Sequence, residues 1–130
     1  MVRQRALVLE DEYLVALDIE TTLLGMGFDT VDIATSLAGA VLALEKGDYD
    51  CVLLDVNISG ETSFDLARDL AARQIPFGFI SGYSDTSGFP DDLKQSLVLG
   101  KPFDDGEFAS FVANLLGDHE KAARLDIKEP

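Results

Sequence analysis

Short, unbroken apolar runs alternate along this chain with longer stretches whose apolar residues recur at helical spacing. Ala6-Leu7-Val8-Leu9 is such a run, and it ends abruptly in Glu10-Asp11-Glu12. A run of this length with no polar interruption reads as a strand covered on both faces. From 13 to about 26 the apolar residues Leu14, Leu17, Ile19, Leu23 and Leu24 recur at helical spacing, and Gly25 and Gly27 end the helix. A second strand is predicted over 30–34. Ser36 reads as the N-cap of a helix over 37–45, with Ala40, Val41 and Leu44 on one face, and Gly47-Asp48 breaks it. A third strand over 51–54 ends in Asp55. A loop over 57–61 leads to a helix near 63–73, and 76–80 is a fourth strand. After Ser81-Gly82 comes a stretch rich in Ser, Asp, Gly and Pro up to Pro90, then a weak helix over 91–95. Residues 97–99 form a fifth strand and Gly100-Lys101-Pro102 a turn. The last helix runs from about 104 to 116, with Phe108, Phe111, Val112, Leu115 and Leu116 facing inward.

Strands that alternate with helices through short connections predict a doubly wound parallel sheet, here of five strands with about five helices. The 130 residues suit one domain, taken as 1–117, followed by a polar tail over 118–130. Hydrophobic residues make up 47% of the chain, enough for a packed core. No apolar run approaches the ~20 residues that span a bilayer. The N-terminus lacks the apolar region and cleavage site of a signal peptide, so a cytoplasmic protein is expected. Cys51 is the single cysteine, which excludes an intramolecular disulfide and fits a small buried hydrophobe. The lone histidine, His119, stands in the charged tail as a solvated residue. The net charge of −14, from 24 acidic against 10 basic residues, repels a phosphate backbone and argues against nucleic-acid binding.

Ligand sites in doubly wound sheets lie at the carboxyl ends of the strands. Those ends carry Glu10-Asp11, Asp55, Ser81 and Lys101-Pro102. Three carboxylates, a hydroxyl and an ammonium are thus expected at one edge. Crowded carboxylates repel, and a hard, oxygen-liganded cation such as Mg2+ relieves that repulsion. One carboxylate can then act as a nucleophile and form an acyl phosphate. Phosphoryl transfer needs positioning and positive charge around a loose transition state, which Mg2+ and Lys101 would supply from two sides. Taken singly, each residue has a plainer reading: Asp55 as a cap or turn residue, Glu10-Asp11 as charge at a helix N-terminus, Ser81 as a turn cap, Lys101 as a solvated lysine. Their joint placement at strand ends is the signal.

Four segments, in this order, resemble the receiver domains of bacterial two-component response regulators over residues 4–117. They are Leu7-Val8-Leu9-Glu10-Asp11, Val52-Leu53-Leu54-Asp55-Val56-Asn57, Phe79-Ile80-Ser81-Gly82 and Gly100-Lys101-Pro102-Phe103. The resemblance implies a flavodoxin-like receiver fold. It implies Asp55 as phosphoacceptor, Glu10 and Asp11 as Mg2+ ligands with the Asn57 backbone carbonyl, Ser81 as switch hydroxyl, and Lys101 as phosphoryl clamp. Partners implied are a sensor histidine kinase or a histidine phosphotransfer protein, and an unknown downstream protein target. Docking is expected on the first helix and the turn at Phe103. With the chain ending soon after its last helix, no DNA-binding or catalytic output domain is expected, so the output is by protein contact and the domain is not a conventional enzyme.

The segments 57–63 and 76–83 are similar to single-domain receivers of the FAT-GUY group, which work with HWE-type histidine kinases, although Ile80 and Ser81 stand where alanine and threonine are usual. Glu10 replaces the usual first aspartate, which lengthens one metal arm. Val98 stands where many receivers carry a switch aromatic. Gly88 and Pro90 predict a short or mobile fourth helix, and the conformational response is expected in 84–95. Asn57 and Tyr83, two places past Asp55 and Ser81, are open between rim packing and control of water access. Three other functions compete with this reading. A phosphate-independent interaction module keeps the fold and the acidic pocket. A flavodoxin-like nucleotide binder would want a Ser/Thr/Gly-rich loop where this chain has Glu-Asp-Glu. A haloacid-dehalogenase-type phosphatase would want an aspartate at Asn57.

Overall fold

A computed structural model describes residues 4–82 and 86–117; the expected tail, His119 and Tyr83 lie outside these described residues. In chain order the elements are β1 (Arg5–Leu9), α1 (Tyr13–Gly25), β2 (Thr30–Ala34), α2 (Leu37–Lys46), β3 (Cys51–Asp55), β4 (Asn57–Ile58), β5 (Glu61–Thr62), α3 (Phe64–Ala72) and β6 (Phe77–Ser81). A 3-10 turn (Asp91–Leu93), β7 (Val98–Gly100) and α4 (Asp105–Leu116) complete the chain. Five strands form one parallel sheet in the order β2-β1-β3-β6-β7.

Side chains on a strand alternate between faces, and here both faces are covered. Ala6, Val8, Cys51, Leu53 and Ile80 pack on one side with Ile19 and Leu23 of α1 and with Phe108, Phe111, Val112 and Leu115 of α4. Leu7, Leu9, Val52, Leu54 and Phe79 pack on the other with Ala40 and Leu44 of α2 and with Leu66 and Leu70 of α3. This explains why the central strands read as continuous apolar runs. Cys51 is buried and free.

The strand order reverses at β1. The chain moves outward from β1 to β2, then returns to place β3 on the other side of β1. The carboxyl ends of β1 and β3 therefore flank the crevice where such folds bind ligands.

Local details differ from the sequence expectation. The inward stripe of α1 is Ala16, Ile19 and Leu23, while Leu14 and Leu24 face solvent. On α2, Ala40 and Leu44 are buried but Val41 is exposed. The stretch expected as a loop over 57–61 holds a two-stranded antiparallel hairpin, Asn57 opposite Thr62 and Ile58 opposite Glu61. The fourth helix is reduced to the single 3-10 turn, so the α-helices number four among the described residues. That turn has one apolar residue to bury, Leu93. It is held by other means: Arg68 of α3 makes a two-pronged ion pair to Asp92 at 2.7 and 3.1 Å, and Phe89 packs on Phe64 and Phe79 at 5.0 Å between ring centroids.

Two positions fix the frame of α4. Asp104 caps its first turn reciprocally with Glu107. Gly78 on β6 lets the helix approach, because a Cβ there would lie 2.5 Å from Phe111 Cζ and 2.7 Å from a Leu115 methyl carbon. Among the described residues, no helix is long and apolar enough to cross a membrane.

Candidate functional site

Each chemically distinctive residue stands where a strand runs out. β1 delivers Glu10 and Asp11, β3 ends on Asp55, β6 ends on Ser81, and the residue after β7 is Lys101. The parallel register, with Leu54 between Leu9 and Phe79, brings these ends to one edge. Carboxylate oxygens of Glu10, Asp11 and Asp55 lie within 4.8 Å of one another. Lys101 Nζ sits 3.1 Å from Glu10 Oε1 and 3.5 Å from Asp55 Oδ2. The other Glu10 oxygen accepts the Glu12 amide at 3.1 Å. Glu10 is 1% exposed, so these partners compensate a charge removed from water.

Three carboxylates against one ammonium leave the cluster short of positive charge. Burial pushes the Asp55 carboxyl up to about 6, and the neighbouring Glu10 charge adds to that, while Lys101 pulls the other way. Burial pulls Lys101 down, but its hydrogen bond to Glu10 and the Asp55 charge outweigh this, so its net shift is upward. Lys101 therefore stays protonated through the neutral range in which Asp55 ionises. The Lys101–Pro102 peptide bond is cis, and the Lys101 amide donates to the Ser81 carbonyl at 2.7 Å. That bond ties the ends of β6 and β7 together.

Ser81 is 7% exposed. With Val56, Asn57, Thr62, Phe64 and Phe89 it lines a cavity of about 420 Å³ beside the strand ends. The structure thus gathers the carboxylates of Glu10, Asp11 and Asp55, pairs Lys101 with Glu10 and Asp55, and sets Asn57 and Ser81 on one neighbouring wall. A second hollow, of about 440 Å³, lies between α1 and the turn after β7. Val15, Asp18, Ile19, Lys101 and Phe103 line it, and Phe103 stacks on Phe108 at 5.5 Å.

Two serines at the site carry no sequence expectation of their own. Ser63 is fully buried, and its hydroxyl donates to the Asp55 carbonyl at 2.7 Å. Its amide donates to the Val56 carbonyl. It precedes α3, yet its side chain ties down the backbone that carries Asp55 instead of capping the helix. Ser59 donates its amide to Asp11 Oδ2 at 2.8 Å. The Ser59-Gly60 dipeptide is a turn signal that could have revealed the hairpin. Nothing in the pattern indicated the partner of either serine.

Comparison with known proteins places the fold in a family. The family model of the response regulator receiver domain matches residues 6–113. The solution structure of SdrG from Sphingomonas melonis Fr1 is similar at 38% identity with a TM-score of 0.76, covering 89% of this chain and 99% of that one. The phyllosphere-induced regulator PhyR of Methylorubrum extorquens is 26% identical over 123 residues, which are 92% of this chain and 46% of PhyR. The response regulator TrrA of Thermotoga maritima, solved in complex with Mg2+-BeF, has the same fold at 23% identity, with a TM-score of 0.72 and coverage of 86% and 98%. This chain spans about half the length of the curated relatives it matches. By the family match over most of its length, the chain belongs to the response regulator receiver domain family.

Proposed function

We propose that this receiver domain serves two-component phosphorelay signalling by accepting a phosphoryl group on Asp55 from a sensor histidine kinase or a histidine phosphotransfer protein. The observation that carries this reading is the Asp55 carboxylate, at the end of a central strand, with Lys101 Nζ 3.5 Å away and two further carboxylates beside it. An Asp55 oxygen attacks phosphorus, the P–N bond of the donor phosphohistidine breaks, and its electron pair stays on the imidazole nitrogen. Lys101 lies where its ammonium can neutralise a phosphoryl oxygen. In this reading the Ser81 hydroxyl donates to another.

The donor set fits a hard divalent cation, being all oxygen and short of positive charge. Glu10, Asp11, Asp55 and the Asn57 backbone carbonyl would hold Mg2+. When bound, the ion offsets carboxylate repulsion and the charge that builds on the phosphoryl group. Glu10 Oε1 also engages Lys101, so the longer arm at position 10 links the metal site to the clamp.

Partner docking is assigned to the hollow between α1 and Phe103, which opens beside Lys101; Tyr13 and Leu14 of α1 are exposed near it. An HWE-type kinase is the proposed donor, on the similarity of segments 57–63 and 76–83 to that group's receivers. Output is proposed to pass through protein contact in the cytoplasm, without direct contact to nucleic acid or membrane; a net charge of −14 supports this. The domain modifies itself and is not a conventional enzyme.

Beryllium fluoride with Mg2+ tests the reading without a kinase, since the adduct forms on the nucleophilic carboxylate. Amide resonances at Asp55, Ser81 and Lys101 should shift in the wild type and stay still in Asp55→Asn. A wild-type spectrum unmoved by the mixture contradicts the proposal. It would favour a second reading, a phosphate-independent interaction module. The ion pair already formed between Glu10 and Lys101 supports that alternative.

A further inference from the structure

The hairpin that follows β3 closes onto the metal-binding edge. Its two central residues, Ser59 and Gly60, have φ of 52° and 88°, as a two-residue primed turn requires. Glycine adopts such angles freely, whereas serine does so at a cost. At Ser59 this unusual backbone aims the amide at Asp11 Oδ2, 48 residues earlier in the chain, at 2.8 Å. The Ser59 hydroxyl reaches the same oxygen only at 3.5 Å and adds little. A backbone amide donating to a carboxylate is a charge-assisted bond with a fixed direction.

We infer that Ser59 is a positioning residue for the Mg2+ site, its backbone amide fixing the Asp11 carboxylate while the same hairpin presents the Asn57 carbonyl. The inference rests on the proposed metal role of Asp11. Asp11 is partly exposed and follows the end of β1; its partner among the described hydrogen bonds is Ser59. Hydrogen bonds that orient a ligating carboxylate typically carry 10–100-fold in metal affinity. The turn thereby couples hairpin geometry to cation binding. Any distortion of residues 57–62 is felt at Asp11, although none of their side chains is a ligand.

The test separates the amide from the side chain. Ser59→Gly keeps the amide and suits the positive φ, so its Mg2+ dissociation constant, measured by calorimetric titration with Mg2+ alone, should stay within about threefold of wild type. Ser59→Pro deletes the donor but also cannot take a φ of 52°. A folded variant should bind Mg2+ about 10–100-fold more weakly, and the Asp11 dependence of the wild-type Ser59 amide, below, separates loss of the donor from a shifted hairpin. A spectroscopic readout guards against simple misfolding of the proline variant. In the metal-free wild type the Ser59 amide proton should resonate downfield and exchange slowly, and Asp11→Ala should reverse both. Equal Mg2+ affinity in wild type and a folded Ser59→Pro, or a Ser59 amide indifferent to Asp11→Ala, overturns this inference alone. Absence of Mg2+ binding by the wild type overturns the metal reading itself, and the inference with it.

Discussion

Glu10 and Lys101, 91 residues apart, meet at 3.1 Å in the interior edge of the sheet, with the glutamate side chain 2% exposed and the lysine 28%. A charge buried this deeply depends on its partner. Removing the ammonium leaves Glu10 and Asp55 facing each other across a poorly solvated gap. Lys101→Ala should therefore cost about 2–4 kcal/mol in the metal-free protein. Combining it with Glu10→Gln should recover part of that loss. Urea denaturation of the two single variants and the double variant gives the coupling directly. Additive losses would show that the pair is incidental.

The Asp55 carboxyl supplies a pH dependence whose sign is fixed. Its ordinary value is 3.8 and the fold raises it to about 6. Between those limits the folded state binds more protons than the unfolded state. This group's contribution to stability is therefore complete below about pH 4 and is lost as pH rises through about 6. Asp55→Asn, which carries no charge, should be more stable than wild type at pH 7 by about 1–2 kcal/mol, with the gap closing in acid. Thermal melts in EDTA across pH 4–8 check both statements. Mg2+ should reverse the ranking at pH 7, because it binds the ionised form.

Gly78 is the tightest steric point between sheet and helix. A methyl group there must displace Phe111 or Leu115, both part of the buried face of α4. Gly78→Ala should destabilise by about 1–3 kcal/mol. Pairing it with Phe111→Leu should relieve part of the strain. A wild-type midpoint for Gly78→Ala in urea would show that the helix yields freely.

Contacts that hold the segment from Thr86 to Leu97 among the described residues include the Arg68–Asp92 ion pair, Phe89 against Phe64 and Phe79, the buried Leu93, and the Phe79 amide donating to the Leu97 carbonyl. It contributes Ser87, Gly88 and Phe89 to the cavity that Ser81 lines. Recruitment of the Ser81 hydroxyl to a phosphoryl oxygen would change that cavity wall. Amide exchange in residues 86–97 should respond to beryllium fluoride more strongly than exchange in α2. Uniform exchange before and after would place the response elsewhere. With Val98 only partly buried at the edge strand, no aromatic side chain at that position can report the change.

Much of this architecture is written in the periodicity. The runs 6–9 and 51–54 announce central strands because both faces of each are buried. The α4 stripe of Phe108, Phe111, Val112, Leu115 and Leu116 reads correctly because its apolar residues are no more numerous than the face that needs them. On α1 the apolar set is wider than the sheet can cover. Periodicity alone could not choose Ala16, Ile19 and Leu23 over Leu14 and Leu24. The site's main members were legible from their place after apolar runs. The ties that orient them were not. Ser63 looks like a helix cap, yet its hydroxyl turns to the Asp55 carbonyl. The Ser59–Asp11 bond joins two segments whose approach is set by tertiary packing.

Intact mass is the most direct measurement of the central claim. The wild type is incubated with a small-molecule phosphodonor and Mg2+, beside Asp55→Asn and beside wild type in EDTA. One added phosphoryl group in the first sample, absent from both others, is the predicted result. No addition to the wild type, or addition that survives Asp55→Asn, would contradict the assignment of Asp55 as the phosphoacceptor.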